Sequence, residues 1–198
     1  MIRFAAVEDL PQMLAIYGPY VEGTTVSFEY EAPSPEAFAR RFGAITAQFP
    51  WLVWEEAGEI LGYAYAAAPF ERAAYRWCAE PSIYLAPKAH RRGIGRRLYG
   101  ALELLLQKQG YRLLYAIITS ENAASLAFHQ SLGYRHLATF PGCAWKLGKN
   151  LGITWMEKEL PFVDYPLNFP EPIGKIVEND KNLPAVLDKM SLSSSCKM

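Results

Sequence analysis

Residues Ser82–Leu106 read SIYLAPKAHRRGIGRRLYGALELLL. Ile83-Tyr84-Leu85 is a short apolar run that predicts a strand. Ala86–Arg92 is a turn, and Gly93-Ile94-Gly95 opens a helix continued by Leu98, Leu102, Leu105 and Leu106 at helical spacing. A strand, a glycine-containing turn and a helix start together make an anion site. The first amides of a helix have no intrahelical acceptor and point at whatever lies before them. Gly93 and Gly95 carry no Cβ, so an oxyanion can approach the backbone. Arg91, Arg92, Arg96 and Arg97 concentrate positive charge at the same point. The inferred ligand is a polyphosphate; a glycine-capped surface turn with solvated arginines is the alternative.

Two common phosphate loops are excluded by spacing. A P-loop ends in Gly-Lys-Ser/Thr, and no such pair follows Gly95. A dinucleotide fingerprint needs a third glycine where Arg96-Arg97-Leu98 stands.

Composition narrows the class further. The chain has 198 residues, 51% hydrophobic and of zero formal net charge. That length supports one domain, or one domain with a tail. The charge balance argues against nucleic-acid binding through bulk charge. Cys78, Cys143 and Cys196 show no paired spacing, so neither a disulfide framework nor a metal site is expected. No apolar run reaches the roughly 20 residues of a membrane span. The start, MIRFAAVEDL, lacks a signal-peptide core, which makes the cytoplasm the expected compartment.

Read in order, Ile2–Val7 predicts a first strand and Asp9-Leu10-Pro11 a helix start. Ser34-Pro35-Glu36 has the capping residue, proline and acid of a second, running to about Ala47 and burying Phe38, Phe42 and Ile45. Trp51–Trp54 and Ile60–Ala67 flank a glycine-containing turn and predict a hairpin. After the central strand and its helix, which Gly110 caps, come a strand at Leu113–Ile118 and a helix from Asn122 to the Gly133 cap. A strand from Tyr134, a loop over Pro141–Asn150 and a last strand at Ile153–Leu160 complete the pattern. The order β-α-α-β-β-β-α-β-α-β-β predicts an α/β (α+β) domain over residues 1–160, a mixed twisted sheet with helices on both faces. Residues 161–198 are proline-rich and then polar. They predict a surface arm, frayed beyond about residue 185.

The loop Arg-Arg-Gly-x-Gly, placed between strand and helix, resembles the pyrophosphate loop of the GNAT acetyltransferases. Further segments extend the likeness in one order: Phe49-Pro50-Trp51-Leu52-Val53, Gly62-Tyr63-Ala64-Tyr65-Ala66, Ala79-Glu80 before Ile83-Tyr84-Leu85, Asn122, and Leu132-Gly133-Tyr134. Together they are similar to the phosphinothricin and methionine-sulfoximine N-acetyltransferase branch of that superfamily, over roughly residues 1–160. The tail has no counterpart there.

The resemblance implies the GNAT fold, acetyl-CoA as cosubstrate, no metal, a small-molecule amine as acceptor and a homodimer. It implies that Ile83, Tyr84 and Leu85 pair with the pantetheine arm as an added strand would. Arg91, Arg92, Gly93, Ile94, Gly95 and Arg96 would cradle the pyrophosphate. His90 departs from the glutamine or arginine usual three residues before the first glycine. Asn122 would bond the cofactor near its reactive end; an ordinary N-cap is an equal reading. Glu80 would take the proton that the acceptor ammonium must lose. Pro81 after it implies a bulge or an edge. His129 would serve the departing thiolate. It shares a helix face with Asn122 and Ser125 by spacing, and a core histidine is the alternative. Phe28, Arg72 and Tyr75 match acceptor-pocket positions, with Arg72 suited to a carboxylate.

The expected function is transfer of acetyl to the amine of a small amino acid or toxic analogue, directly in a ternary complex. The alternatives are another amine such as a protein N-terminus, and a non-catalytic acyl-CoA-binding module.

Overall fold

The computed structural model describes residues 1–161 and 168–192. Within them one seven-stranded sheet runs β1-β2-β3-β4-β5-β7-β6. Its strands are β1 (Ile2–Phe4), β2 (Trp51–Glu56), β3 (Glu59–Ala67), β4 (Cys78–Leu85), β5 (Leu113–Thr119), β6 (Arg135–Lys146) and β7 (Lys149–Glu159). Helices α1 (Leu10–Gly23) and α2 (Pro35–Thr46) cover one face. Helices α3 (Ile94–Gln109), α5 (Ile173–Asn179) and α6 (Leu183–Leu192) cover the other, with α4 (Ala123–Ser131) following β5.

Alternation along β2 decides which side chains meet which helices. Trp51 and Val53 enter the α1–α2 core with Met13, Tyr17, Val21, Phe38 and Phe42. Leu52 and Trp54 enter the α3 core with Leu98, Leu102, Leu105 and Leu106. These four leucines have no exposed surface, and each burial stabilises the fold by about 1.5–3 kcal/mol. Ser34 Oγ accepts the Ala37 amide at 3.2 Å and Pro35 follows it, so α2 starts where its sequence places it.

The sheet has one deliberate fault. β4 and β5 run parallel but pair only at Cys78↔Leu113 and Ala79↔Leu114. Beyond Ala79 β4 stays with β3, as far as Gly62↔Leu85, while β5 stays with β7 as far as Thr119↔Ile153. The two facing edges diverge and leave a wedge. Pro81 sits just past the last shared pair, where the missing N–H costs no ladder bond to β5. Gly62 lets β3 and β4 close up on the other side: a Cβ there would lie 2.3 Å from Leu85 Cδ2 and 3.0 Å from the Tyr84 carbonyl.

Three expectations are corrected. The first strand is Ile2–Phe4 rather than Ile2–Val7, because Val7–Asp9 turns as a short 3-10 helix into α1. Pro141–Asn150 is not a loop. β6 runs to Lys146 and turns at Leu147-Gly148 into β7, which begins at Lys149. Proline is tolerated because β6 is the edge strand, and the register shift between Phe140 and Ala144 takes up the irregularity. Among the described residues the tail is helical past residue 185, where the sequence predicts fraying. α6 continues to Leu192 and buries Leu183, Leu187 and Ser191, while α5 buries Ile173 and Ile176. The spacing of those apolar residues fits α3, whose outer surface they share.

Candidate active site

The wedge between β4 and β5 holds a narrow cleft of about 70 Å³. Glu80, Tyr84, Tyr99, Asn122, Ser125 and His129 line it, with Val26 closing one side. Sequence-distant candidates are therefore brought together: Glu80, Ile83 and Tyr84 by β4, and Asn122, Ser125 and His129 by α4.

At the mouth, Gly93 is the N-cap of α3 with φ 76°, a left-handed conformation natural to glycine. The first helical bond runs from the Arg97 amide to the Gly93 carbonyl at 3.2 Å, so the amides of Ile94, Gly95 and Arg96 have no intrahelical acceptor. Arg91 also adopts a positive φ, 58°, and is exposed. The other arginines are engaged with protein groups. Arg92 Nη2 lies 2.9 Å from both Glu56 carboxylate oxygens, and Arg96 Nη2 donates to Ser131 Oγ at 2.8 Å. Arg97 donates to the Ser191 carbonyl at 3.0 Å and sits over the Trp54 ring. His90 Nε2 is 3.1 Å from Tyr20 Oη, which itself donates to the Leu85 carbonyl at 2.7 Å. His90 thus ties the loop to α1.

Glu80 is half-buried and burial raises its pKa, which weakens it as a resting carboxylate and strengthens it as a base. Asn122 is an N-cap: its Oδ1 accepts the Ser125 amide at 3.1 Å, leaving the amide nitrogen for another acceptor. His129 is buried, and burial lowers its pKa. Its Nδ1–H donates to the Ser125 carbonyl at 2.8 Å, so Nε2 of the neutral ring accepts from Tyr99 Oη at 2.7 Å. The Tyr99 hydroxyl is also 3.2 Å from the Pro81 carbonyl.

Phe28 is exposed on the loop after α1. Arg72 and Tyr75 do not line the Glu80 cleft. They line a second cavity of about 390 Å³, with Cys78, Phe169 and Pro170 among its other walls. Tyr99 is a site-forming residue that sequence reasoning passed over. A hydroxyl within the leucine stripe of α3 is the signal for Tyr99, since a buried tyrosine needs a hydrogen-bond partner. Lys146 ends β6 with its ammonium buried, donating to the Val21 carbonyl at 2.5 Å and the Ser27 carbonyl at 2.6 Å.

The chain matches a known family model, an acetyltransferase (GNAT) domain, over residues 2–155. The chain belongs to the GNAT acetyltransferase family. Among GNAT relatives, the L-methionine sulfoximine/L-methionine sulfone acetyltransferase of Pseudomonas paraeruginosa is 37% identical over 80% of this chain and 94% of its own. The phosphinothricin N-acetyltransferase of Streptomyces viridochromogenes is 31% identical over 84% and 92%. A GNAT phosphinothricin acetyltransferase from Sinorhizobium meliloti, solved in complex with AcCoA, superposes with a TM-score of 0.80 at 32% identity, covering 84% of this chain and 94% of that one. These GNAT proteins are spanned almost whole, whereas α5 and α6 lie beyond the family match. The chain is an acetyl-CoA-dependent N-acetyltransferase, and its wedge fits that cosubstrate. Unpaired strand edges suit an extended amide-bearing arm, and three free amides with Arg91 suit a pyrophosphate. Among the described residues no group of three His, Cys, Asp or Glu is placed to hold a metal, and no helix is long and apolar enough to cross a membrane.

Proposed function

We propose that this protein acetylates the amine of a small amino acid or toxic analogue, of the phosphinothricin or methionine sulfoximine/sulfone type, by direct transfer in a ternary complex. The observation that carries the reading is Glu80 at the floor of the β4–β5 wedge, its pKa raised by burial. Its carboxylate takes the proton from the acceptor ammonium. The freed amine forms the N–C bond as the C–S bond breaks; the Tyr99 hydroxyl gives its proton to the leaving thiolate, and the second proton shed by the nitrogen restores that hydroxyl. Both nitrogens of His129 are occupied, so it acts through the Tyr99 hydroxyl, which it orients. Ile83, Tyr84 and Leu85 would present their backbone to the pantetheine arm. Arg91, Arg92, Gly93, Ile94, Gly95 and Arg96 would enclose the pyrophosphate, and the Asn122 side-chain amide with Ser125 would meet the arm near its thioester. Phe28, Arg72 and Tyr75 would shape the acceptor side, Arg72 holding a carboxylate.

We assign a homodimer in the cytoplasm. The exposed edge strand β6, with Leu137, Phe140 and Trp145 outward, supports self-association, and the free thiols of Cys78 and Cys143 suit a reducing compartment.

The test is thiol release from acetyl-CoA with phosphinothricin, methionine sulfoximine and methionine sulfone as separate acceptors. Turnover with one of them is expected. Silence with all three, beside tight acetyl-CoA binding, would refute the acceptor class.

A further inference from the structure

The second cavity lies where the family domain meets the C-terminal extension. Phe169 stacks on Trp77 with centroids 5.2 Å apart and planes at 25°, and the Arg76 guanidinium lies 5.0 Å over the same ring. Trp77 Nε1–H donates to the Asn168 carbonyl at 2.9 Å. The next residues are fixed from below: Glu171 N–H donates to the Gln109 carbonyl at 2.8 Å, and Gln109 Nε2 donates to the Glu171 carbonyl at 2.7 Å. The segment is therefore a held wall. Phe169 is nevertheless 58% exposed and Tyr75 45%, so two exposed aromatic rings border one cavity with two guanidiniums, of which Arg76 already lies over the Phe169 ring.

This cavity adjoins the reacting end. Cys78 lines it and Glu80 lines the wedge. They are two residues apart on β4, hence on one face and about 7 Å apart along the strand. An acceptor with its amine at Glu80 would extend its distal part toward Arg72. At about 390 Å³ the cavity is roomier than a short side chain needs.

We propose that Phe169, contributed by the extension beyond the family domain, is a specificity-determining wall of the acceptor pocket. It would favour amino acids with flat or elongated side chains that reach from Glu80 into this cavity. This deepens the acetyltransferase reading and rests on Arg72 and Tyr75 facing the acceptor.

The experiment compares wild type, Phe169→Ala and Phe169→Tyr, the last restoring a flat ring. Calorimetric binding of phenylalanine, tryptophan and methionine sulfone is measured in the presence of CoA, alongside KM values for these acceptors and for acetyl-CoA. Phe169→Ala is expected to weaken the aromatic amino acids roughly three- to tenfold, the worth of one aromatic contact. The acetyl-CoA KM should stay unchanged, the melting midpoint should fall by only about 2–4 °C for the lost stacking on Trp77, and Phe169→Tyr should recover both losses. Equal binding of all acceptors by wild type and Phe169→Ala overturns the proposal, as does tight binding of methionine sulfone alone. Selective binding without thiol release would leave this pocket standing and remove the proposed acceptor class.

Discussion

Tyr99 Oη lies 2.7 Å from His129 Nε2, on a ring whose other nitrogen is 2.8 Å from the Ser125 carbonyl. α3 and α4 are thus joined by a buried hydrogen bond that ends at the cleft holding Glu80. Tyr99→Phe keeps the ring and removes the donor. It should lower kcat by about 10²-fold, the lower end for loss of an acid–base group, with little change in acetyl-CoA KM. An unchanged kcat in steady-state assays would make the pair purely structural. Because burial lowers the His129 pKa, the folded state resists its protonation. Its contribution is present above the ordinary histidine value and is lost as pH falls through that value toward the lowered one.

Glu80 has the opposite pH signature. Burial raises its pKa, so the folded chain binds that proton more tightly than the unfolded chain. Stability therefore falls as pH rises from the ordinary glutamate value through the raised one, and stays reduced above it. Glu80→Gln should have a higher melting midpoint than wild type at pH 8 and the same midpoint near pH 3. Its kcat should drop about 10²-fold or more. Activity loss without the pH-dependent gain would mean that the carboxylate is solvated in the free enzyme.

Lys146 holds the loop that follows α1. Its ammonium bonds the Val21 carbonyl in the last turn of α1 and the Ser27 carbonyl beyond it, next to Val26 at the cleft. A cation there also suits the negative end of the helix dipole. Lys146→Met leaves two carbonyls unpaired and should cost about 1–3 kcal/mol in denaturant unfolding. It should also raise the acceptor KM more than the acetyl-CoA KM. A shift in both KM values by the same factor would place its effect outside the acceptor loop.

The extension belongs to the folded core. Leu187 is 3% exposed, and Ser191 Oγ accepts the Ile2 amide at 2.6 Å. Leu187→Ala should destabilise by about 2–5 kcal/mol in urea unfolding, as for other buried leucines. A change below half a kcal/mol would show that α6 is detached in solution.

Gly93→Ala tests the anion loop. A side chain at φ 76° is strained by about 1–2 kcal/mol, and that strain falls where three amides must face the pyrophosphate. Acetyl-CoA affinity, measured calorimetrically, should fall more than stability does. Unchanged affinity would move the pyrophosphate away from this turn.

The sequence alone determined the order of elements, because each is encoded by contacts within a few residues. Ser34-Pro35 starts α2, the leucines of α3 mark one face, Gly110 stops that helix, and Gly93 with its arginines marks the anion loop. It also placed Glu80 and the Asn122–His129 face, since spacing along one strand or helix is a local property. Three matters were decided only in tertiary structure. Pro141–Lys146 became a strand because β7 supplied the partner edge, which no local propensity reveals. The tail became two helices because α3 and β1 offered surface for Leu183 and Leu187 to bury. The partners of Tyr99 and Lys146, and the parting of Arg72 from the Glu80 cleft into a cavity walled by Phe169, depend on residues far apart in the chain. Hydrogen bonds and cavities form between elements, and only packing sets which elements meet.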